Sequence, residues 1–265
     1  MTETAVFLKD RGVARVAGAD AASFLQGLIT NDVEKLPEGG VRYAALLSPQ
    51  GKILFDFLVF RKDPETFLID APADRIAELV KRLAMYRLRA RIEIADVSAQ
   101  FAAVAGGEGG PADPRHPGLG RRALVPRAEA PPETAQARAD YEARRVAAGA
   151  PQGGLDFAYG DVFPQDANMD LLNGVDFAKG CYVGQEVVSR MKHRGAVRKR
   201  IARLALDGPA PASGEAVVDG ALPVGVLGTV AGDQALAMLR IDRAQEAESA
   251  GRALTAAGVP VRRLQ

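Results

Sequence analysis

The chain has 265 residues, 48% of them hydrophobic and 25% charged, with a formal net charge of +1. It is long enough to bury a sizeable core without staples, and too nearly neutral to draw nucleic acid or an acidic membrane through a global field. A single cysteine excludes an intramolecular disulfide. With no apolar leader and no run near the ~18 apolar residues of a membrane span, these features predict a cytoplasmic protein without membrane association.

In chain order, residues 12–17 predict a short strand. Asp20 stands at an N-cap position before a helix carrying Phe24, Leu25, Leu28 and Ile29, ended by Asn31-Asp32. Residues 41–47 and 52–60 read as two strands joined by Ser48-Pro49-Gln50-Gly51, a hairpin-type connection. A strand at 66–70, an amphipathic helix at 73–86 and strands near 90–97 and 100–105 follow. The Gly- and Pro-rich stretch 106–132 reads as a surface loop or inter-domain link. Residues 133–148 predict a helix closed by Gly149, and 150–180 read as mostly irregular. From about 200, short β segments separated by Asp-Gly and Gly-Asp turns predict a small barrel or sandwich. The expected organisation is an α+β region with antiparallel sheets over 1–199, in two interleaved subdomains, and a β-domain over 200–265.

The chain lacks nucleotide-binding, serine-hydrolase and zinc-protease signatures. Its histidines are His116 and His193. With one cysteine they cannot assemble a tetrahedral zinc site, nor can one thiolate hold an iron–sulfur cluster, so no intrinsic metal is expected.

Residues 179–186, Lys-Gly-Cys-Tyr-Val-Gly-Gln-Glu, concentrate an amine, the sole sulfur, an amide and a carboxylate. Val183, Val187, Val188 and Met191 predict a helix from about 182 to 194 with Cys181 at its N-terminal edge. That position and the Lys179 charge would favour a thiolate. Cys181 with Gln185, and Tyr182 with Glu186, would then be i,i+4 pairs. Gly180 and Gly184 keep the backbone open around them. A buried filler cysteine and a solvated Lys179 are the structural alternatives. The basic segment 190–200 is either a solvated helix end or an anion site for polyglutamate, phosphate or RNA, though it lacks interleaved aromatics.

The octapeptide resembles the motif of the YgfZ family of folate-binding proteins, relatives of the glycine-cleavage T-protein, an aminomethyltransferase. Asp10-Arg11-Gly12, Phe24-Leu25-Gln26-Gly27, Thr30-Asn31-Asp32, Pro49-Gln50-Gly51-Lys52, Pro164-Gln165, Gly174-Val175 and Gly225…Leu227-Gly228 agree with it too. The resemblance implies a T-protein-like folate-binding core around a central hole, plus a C-terminal β-barrel. It further implies tetrahydrofolate or a one-carbon derivative as ligand, and a role in assembling or repairing iron–sulfur enzymes with indirect effects on tRNA modification. Its folate contacts would be Tyr43, Asp56, Asp70 and Arg145. Cys181, at the cavity mouth, would be the working group with Lys179, Gln185 and Glu186. Phe55-Asp56 stands where the T-protein has an Asp-Asp pair, which speaks against ordinary aminomethyl transfer. The alternatives are a one-carbon transferase or demethylase, and a tRNA-binding module.

Overall fold

The computed structural model describes residues 4–195 and 197–264, except the side chain of Arg194. In chain order come β1 (Val6–Phe7), β2 (Arg11–Ala17), α1 (Ala21–Gln26), β3 (Val41–Leu47), β4 (Ile53–Asp63) and β5 (Thr66–Pro72). Next are α2 (Ile76–Tyr86), β6 (Glu93–Asp96), β7 (Phe101–Ala105), β8 (Arg122–Pro126), α3 (Ala135–Ala147) and α4 (Gln185–Arg194). The C-terminal part contains β9 (Lys199–Leu206), β10 (Ala216–Asp219), β11 (Leu222–Ala231), β12 (Gln234–Arg240), α5 (Ile241–Ser249), β13 (Leu254–Ala256) and β14 (Val259–Arg263).

The framework is a five-stranded antiparallel sheet in the order β3-β4-β5-β2-β6. Alternation along its strands separates two cores. Ala44, Leu46, Phe55, Phe57, Phe67 and Ile69 face α1 and α2, where Leu25, Ile76, Leu79 and Leu83 close the layer. The intervening residues Tyr43, Ala45, Leu58 and Leu68 face the irregular segment 150–182, represented by Phe157, Met169, Leu172 and Tyr182. Asp56 and Asp70 fall in the second set by the same period. Phe55 therefore belongs to the helix layer, and Asp56 is the carboxylate turned toward the interior.

β10-β11-β12-β9-β14-β13 close into a barrel with its own apolar core. The fold is the expected α+β architecture of antiparallel sheets, helices and a closed C-terminal barrel. A further sheet, β1-β7-β8, corrects the reading of 106–132 as a loop or link. That stretch returns as β8 and buries Asp113, Arg115 and Arg122. Its glycines and prolines make the turns, while three buried charged residues make the packing. Asp20 is the N-cap residue of α1 as expected, but its carboxylate makes no cap bond and instead accepts from the Arg91 amide and guanidinium.

Arg145 on α3 joins the barrel to the rest of the chain. It donates to Asp156 (2.6 Å), the Ala150 carbonyl (2.9 Å) and Glu142 (2.7 and 2.9 Å), and to the Thr229 hydroxyl on β11. Asp156 also accepts from the Thr229 amide at 2.6 Å. A Cβ at Gly228 would stand 2.3 Å from Asp156 Oδ1, so this approach requires glycine. Arg145 is fully buried; burial works against its charge, and Asp156 and Glu142 override it and raise its pKa. Truncating one partner of a buried ion pair strands the other charge. Asp156→Ala is therefore expected to lose about 3–5 kcal/mol of stability in chemical denaturation, with Asp161→Ala, a surface control, near zero.

Candidate functional site

The sequence readings point to two places, the central charged cluster and the octapeptide, and the structure separates them. In the cluster, Asp56 accepts hydrogen bonds from Tyr43 (3.0 Å) and Tyr159 (2.5 Å). Burial, and next the Asp56 charge, push both phenol pKa values up. Asp70 takes Arg11 Nε at 2.7 Å on one oxygen and Arg122 Nε at 2.8 Å on the other. Burial alone would raise the Asp70 carboxyl; the two guanidiniums outweigh it and hold it below the ordinary range. Arg115 pairs with Asp113 at 2.7 and 2.9 Å, and Tyr141 Oη lies 3.4–3.5 Å from Arg115 and Arg122. Three guanidiniums thus offset three carboxylates inside the protein, Arg11, Arg115 and Arg122 against Asp56, Asp70 and Asp113.

These side chains fill the interior. The space left among Arg11, Tyr43, Asp56, Arg115, Arg122 and Tyr141 is about 10 Å³. That is about one water, against the ~300 Å³ or more of a small-molecule pocket. Tyr43 and Asp56 spend their polar atoms on each other, and Asp70 spends its own on arginines. The residues present do not fit a folate ring here. Arg145 lies in the barrel joint and does not line this space. No octapeptide residue lines it either, so Cys181 is not at its mouth.

The octapeptide lies on the chain's exterior and is fastened at three points. Lys179 is 5% exposed, which overturns the solvated-charge alternative. Its ammonium donates to the carbonyls of Gln26, Ile29 and Asn31 at 2.9, 2.7 and 2.8 Å. The first of these is the last residue of α1, where orphan carbonyls concentrate negative partial charge. Burial depresses the Lys179 pKa to about 8, partly offset by Asp32, Asp176 and Glu34. Tyr182 is buried in the inner core, which raises its phenol to about 12. Gly184 rests on the β3–β4 turn, where a Cβ would stand 2.6 Å from the Ser48 carbonyl and 3.1 Å from Gly51.

That contact corrects the predicted helix start. Gly184 has φ 83°, a left-handed conformation that ends regular helix geometry on its N-terminal side. The helix begins at Gln185, so Cys181 precedes it by a loop and the proposed i,i+4 pairs do not form. Cys181 is an exposed free thiol, not buried filler. Gly180 is exposed with open space around it, and Glu186 is an exposed first-turn residue. Gln185 is partly buried and makes no side-chain hydrogen bond among the described residues. The site is therefore one thiol held outward between two anchored neighbours.

Residues that sequence reasoning did not assign a role do the anchoring. Thr30 donates to the Gly174 carbonyl at 2.6 Å and accepts from the Ala45 amide. Asn31 donates to the Tyr43 and Asn173 carbonyls. Asp176 Oδ1 accepts from the Ala178 and Lys179 amides. The quoted fragments around 30, 50 and 174 are thus the supports of the octapeptide; their agreement with one motif set was the available signal. The basic segment is divided. Residues up to Arg194 end α4, Ala196 and the Arg194 side chain lie outside the described residues, and Arg200 in β9 is paired with Asp170 at 2.9 Å. Among the described residues no three His, Cys, Asp or Glu side chains gather as a metal site, and no helix is long and apolar enough to cross a membrane.

Residues 8–107 match the GCVT N-terminal domain, and residues 198–264 match the CAF17 C-terminal beta-barrel domain. The chain is 33% identical over 242 residues to the mitochondrial iron-sulfur cluster assembly factor IBA57 homolog of Mycosarcoma maydis, covering 80% of this chain and 60% of that one. It is 31% identical over 246 residues to the mitochondrial iron-sulfur cluster assembly factor IBA57 of Mus musculus, covering 78% and 67%. The chain spans between 52% and 67% of the length of these and similar curated relatives. The solved structure of glycine cleavage system aminomethyltransferase T from Bartonella henselae is alike in fold, with a TM-score of 0.75 over 98% of this chain and 84% of that chain at 16% identity.

Two expectations follow. Calorimetric titration with tetrahydrofolate should give no binding that depends on Asp56; micromolar binding abolished by Asp56→Ala would show that the interior opens. Lys179, observed by NMR of its side-chain carbon, should titrate near 8 instead of the ordinary 10.5. Between those values the unfolded chain keeps a proton that the folded chain has lost. Stability should therefore rise with pH across that window relative to Lys179→Met, a slope absent if the amine is solvated.

Proposed function

Because the chain belongs to the CAF17/GCVT-type family that includes the IBA57 iron–sulfur cluster assembly factors, we propose that it serves iron–sulfur assembly through Cys181. Within that family, the octapeptide Lys179–Glu186 supports a YgfZ-type placement. The observation that carries the reading is the exposed Cys181 thiol, fixed between buried Lys179 and Tyr182.

Such a thiol suits transfer of a cluster that is cargo. On ligation, Cys181 loses its proton to solvent and its sulfur takes one coordination position on iron. One sulfur cannot complete a cluster's ligand set. A partner must supply the others, which makes the complex reversible by ligand exchange. The buried Lys179 acts as a positioning residue here: it holds the loop by three carbonyl bonds. The arginine-filled interior supplies no step. Assigning the chemistry to Cys181 also leaves aminomethyl transfer without a substrate pocket in this reading.

Purified protein mixed with a cluster-loaded carrier should form a complex whose visible absorption and circular dichroism differ from those of the carrier alone. Cys181→Ser should abolish that spectral change while keeping the wild-type melting temperature. In a strain lacking this protein, the same variant should fail to restore iron–sulfur enzyme activity. Full restoration by Cys181→Ser would remove the thiol from the function.

A further inference from the structure

Beside the octapeptide lies an open groove of about 540 Å³, lined among others by Arg42, Asn173, Val175, Phe177 and Lys192. It is distinct from the interior cluster and shares no lining residue with it. Its wall, residues 175–178, runs directly into Lys179-Gly180-Cys181. Two cations meet there. Arg42, on β3, has a buried Nε without a hydrogen-bond partner, and its guanidinium has no ion pair among the described residues. Lys192, on α4, sits over the Phe177 ring at 3.7 Å and has no carboxylate partner among the described residues.

Arg42 and Lys192 thus bring to the groove two charges that no carboxylate among the described residues pairs with. In its wall, Asn31 and Asn173 donate to backbone carbonyls and Asp176 Oδ1 accepts from two backbone amides; none of them pairs with Arg42 or Lys192. An acceptor from outside the chain would meet no competing ion pair at either cation.

We infer that the groove between Arg42 and Lys192 docks an acidic peptide segment of the protein partner that exchanges a cluster with Cys181; this rests on the cluster-transfer reading above. Carboxylates would take Arg42 and Lys192, and apolar side chains would lie along Val175, Phe177 and Pro114. A planar guanidinium suits a carboxylate bidentately. The site is not built for a nucleic acid. It offers two cations, not the stripe of cations that tracks a phosphate backbone.

The probe is a fluorescein-labelled peptide alternating Glu with Leu, followed by anisotropy at low and physiological salt. Its Gln counterpart and a twelve-nucleotide RNA are the comparisons. The acidic peptide should bind, and Arg42→Glu and Lys192→Glu should each weaken it about tenfold. Arg262→Glu, on the barrel, should not. The Arg42→Glu/Lys192→Glu double variant should instead take a Lys-Leu peptide, a rescue that misfolding cannot give. Cys181→Ser should bind the acidic peptide like wild type, so docking and thiol chemistry fail independently. Acidic-peptide binding unaffected by both reversals, or tighter RNA binding that both reversals remove, would overturn the inference.

Discussion

A buried ammonium held by three backbone carbonyls sets the form of this molecule's working surface. Lys179 reaches from an exposed loop into the end of α1, where Gln26, Ile29 and Asn31 present oxygens that α1 itself cannot satisfy. Burying a charge is unfavourable unless it is fully hydrogen-bonded. Here each ammonium proton has an acceptor, and the depressed pKa records the residual cost of desolvation. Because Lys179 and Tyr182 are both drawn inward, Cys181 between them is left facing out. An exposed thiol on an anchored loop is a presented group, able to meet a partner without a large ordering cost.

The interior shows how one face of the sheet is filled by paired charges. The sheet directs Tyr43, Asp56 and Asp70 to the inner face, as their alternation with Ala44, Phe55 and Ile69 requires. What fills that face comes from elsewhere in the chain. Arg115 and Arg122 arrive from the stretch around β8, and Arg11 from β2. Their charges cancel those of the carboxylates locally, so the cluster needs no external ion. The chemistry that remains accessible is on the outside, at Cys181 and the groove beside it.

The supports of that outer site are distributed. Thr30 and Asn31 hold the 173–176 turn, and the β3–β4 turn receives Gly184. Gly51, at φ 81°, completes that approach, since a Cβ there would lie 3.0 Å from Val187. Arg145 and Asp156 fix the barrel at a separate joint, sharing Thr229 and the glycine-dependent contact at Gly228. A change in either support would be felt as stability first and as altered Cys181 presentation second.

Residue order by itself determined the strand alternation of β2 to β5, the amphipathic α2, the helix α3 and the β-rich C-terminal region. These depend on periodicity and local capping, which are written in consecutive residues. It also marked Lys179–Glu186 as the candidate site, because a unique thiol among polar residues and glycines is poor core material. Tertiary structure alone decided where the charges went. Lys179 found carbonyls some 150 positions away, Arg145 joined two regions, and the Gly/Pro-rich stretch supplied buried arginines. It also placed the start of α4 after Gly184, since the packing of that glycine against Ser48 and Gly51 comes from another element. A long-range ion pair or a close backbone approach leaves no periodic trace, so it becomes visible only when the chain is folded.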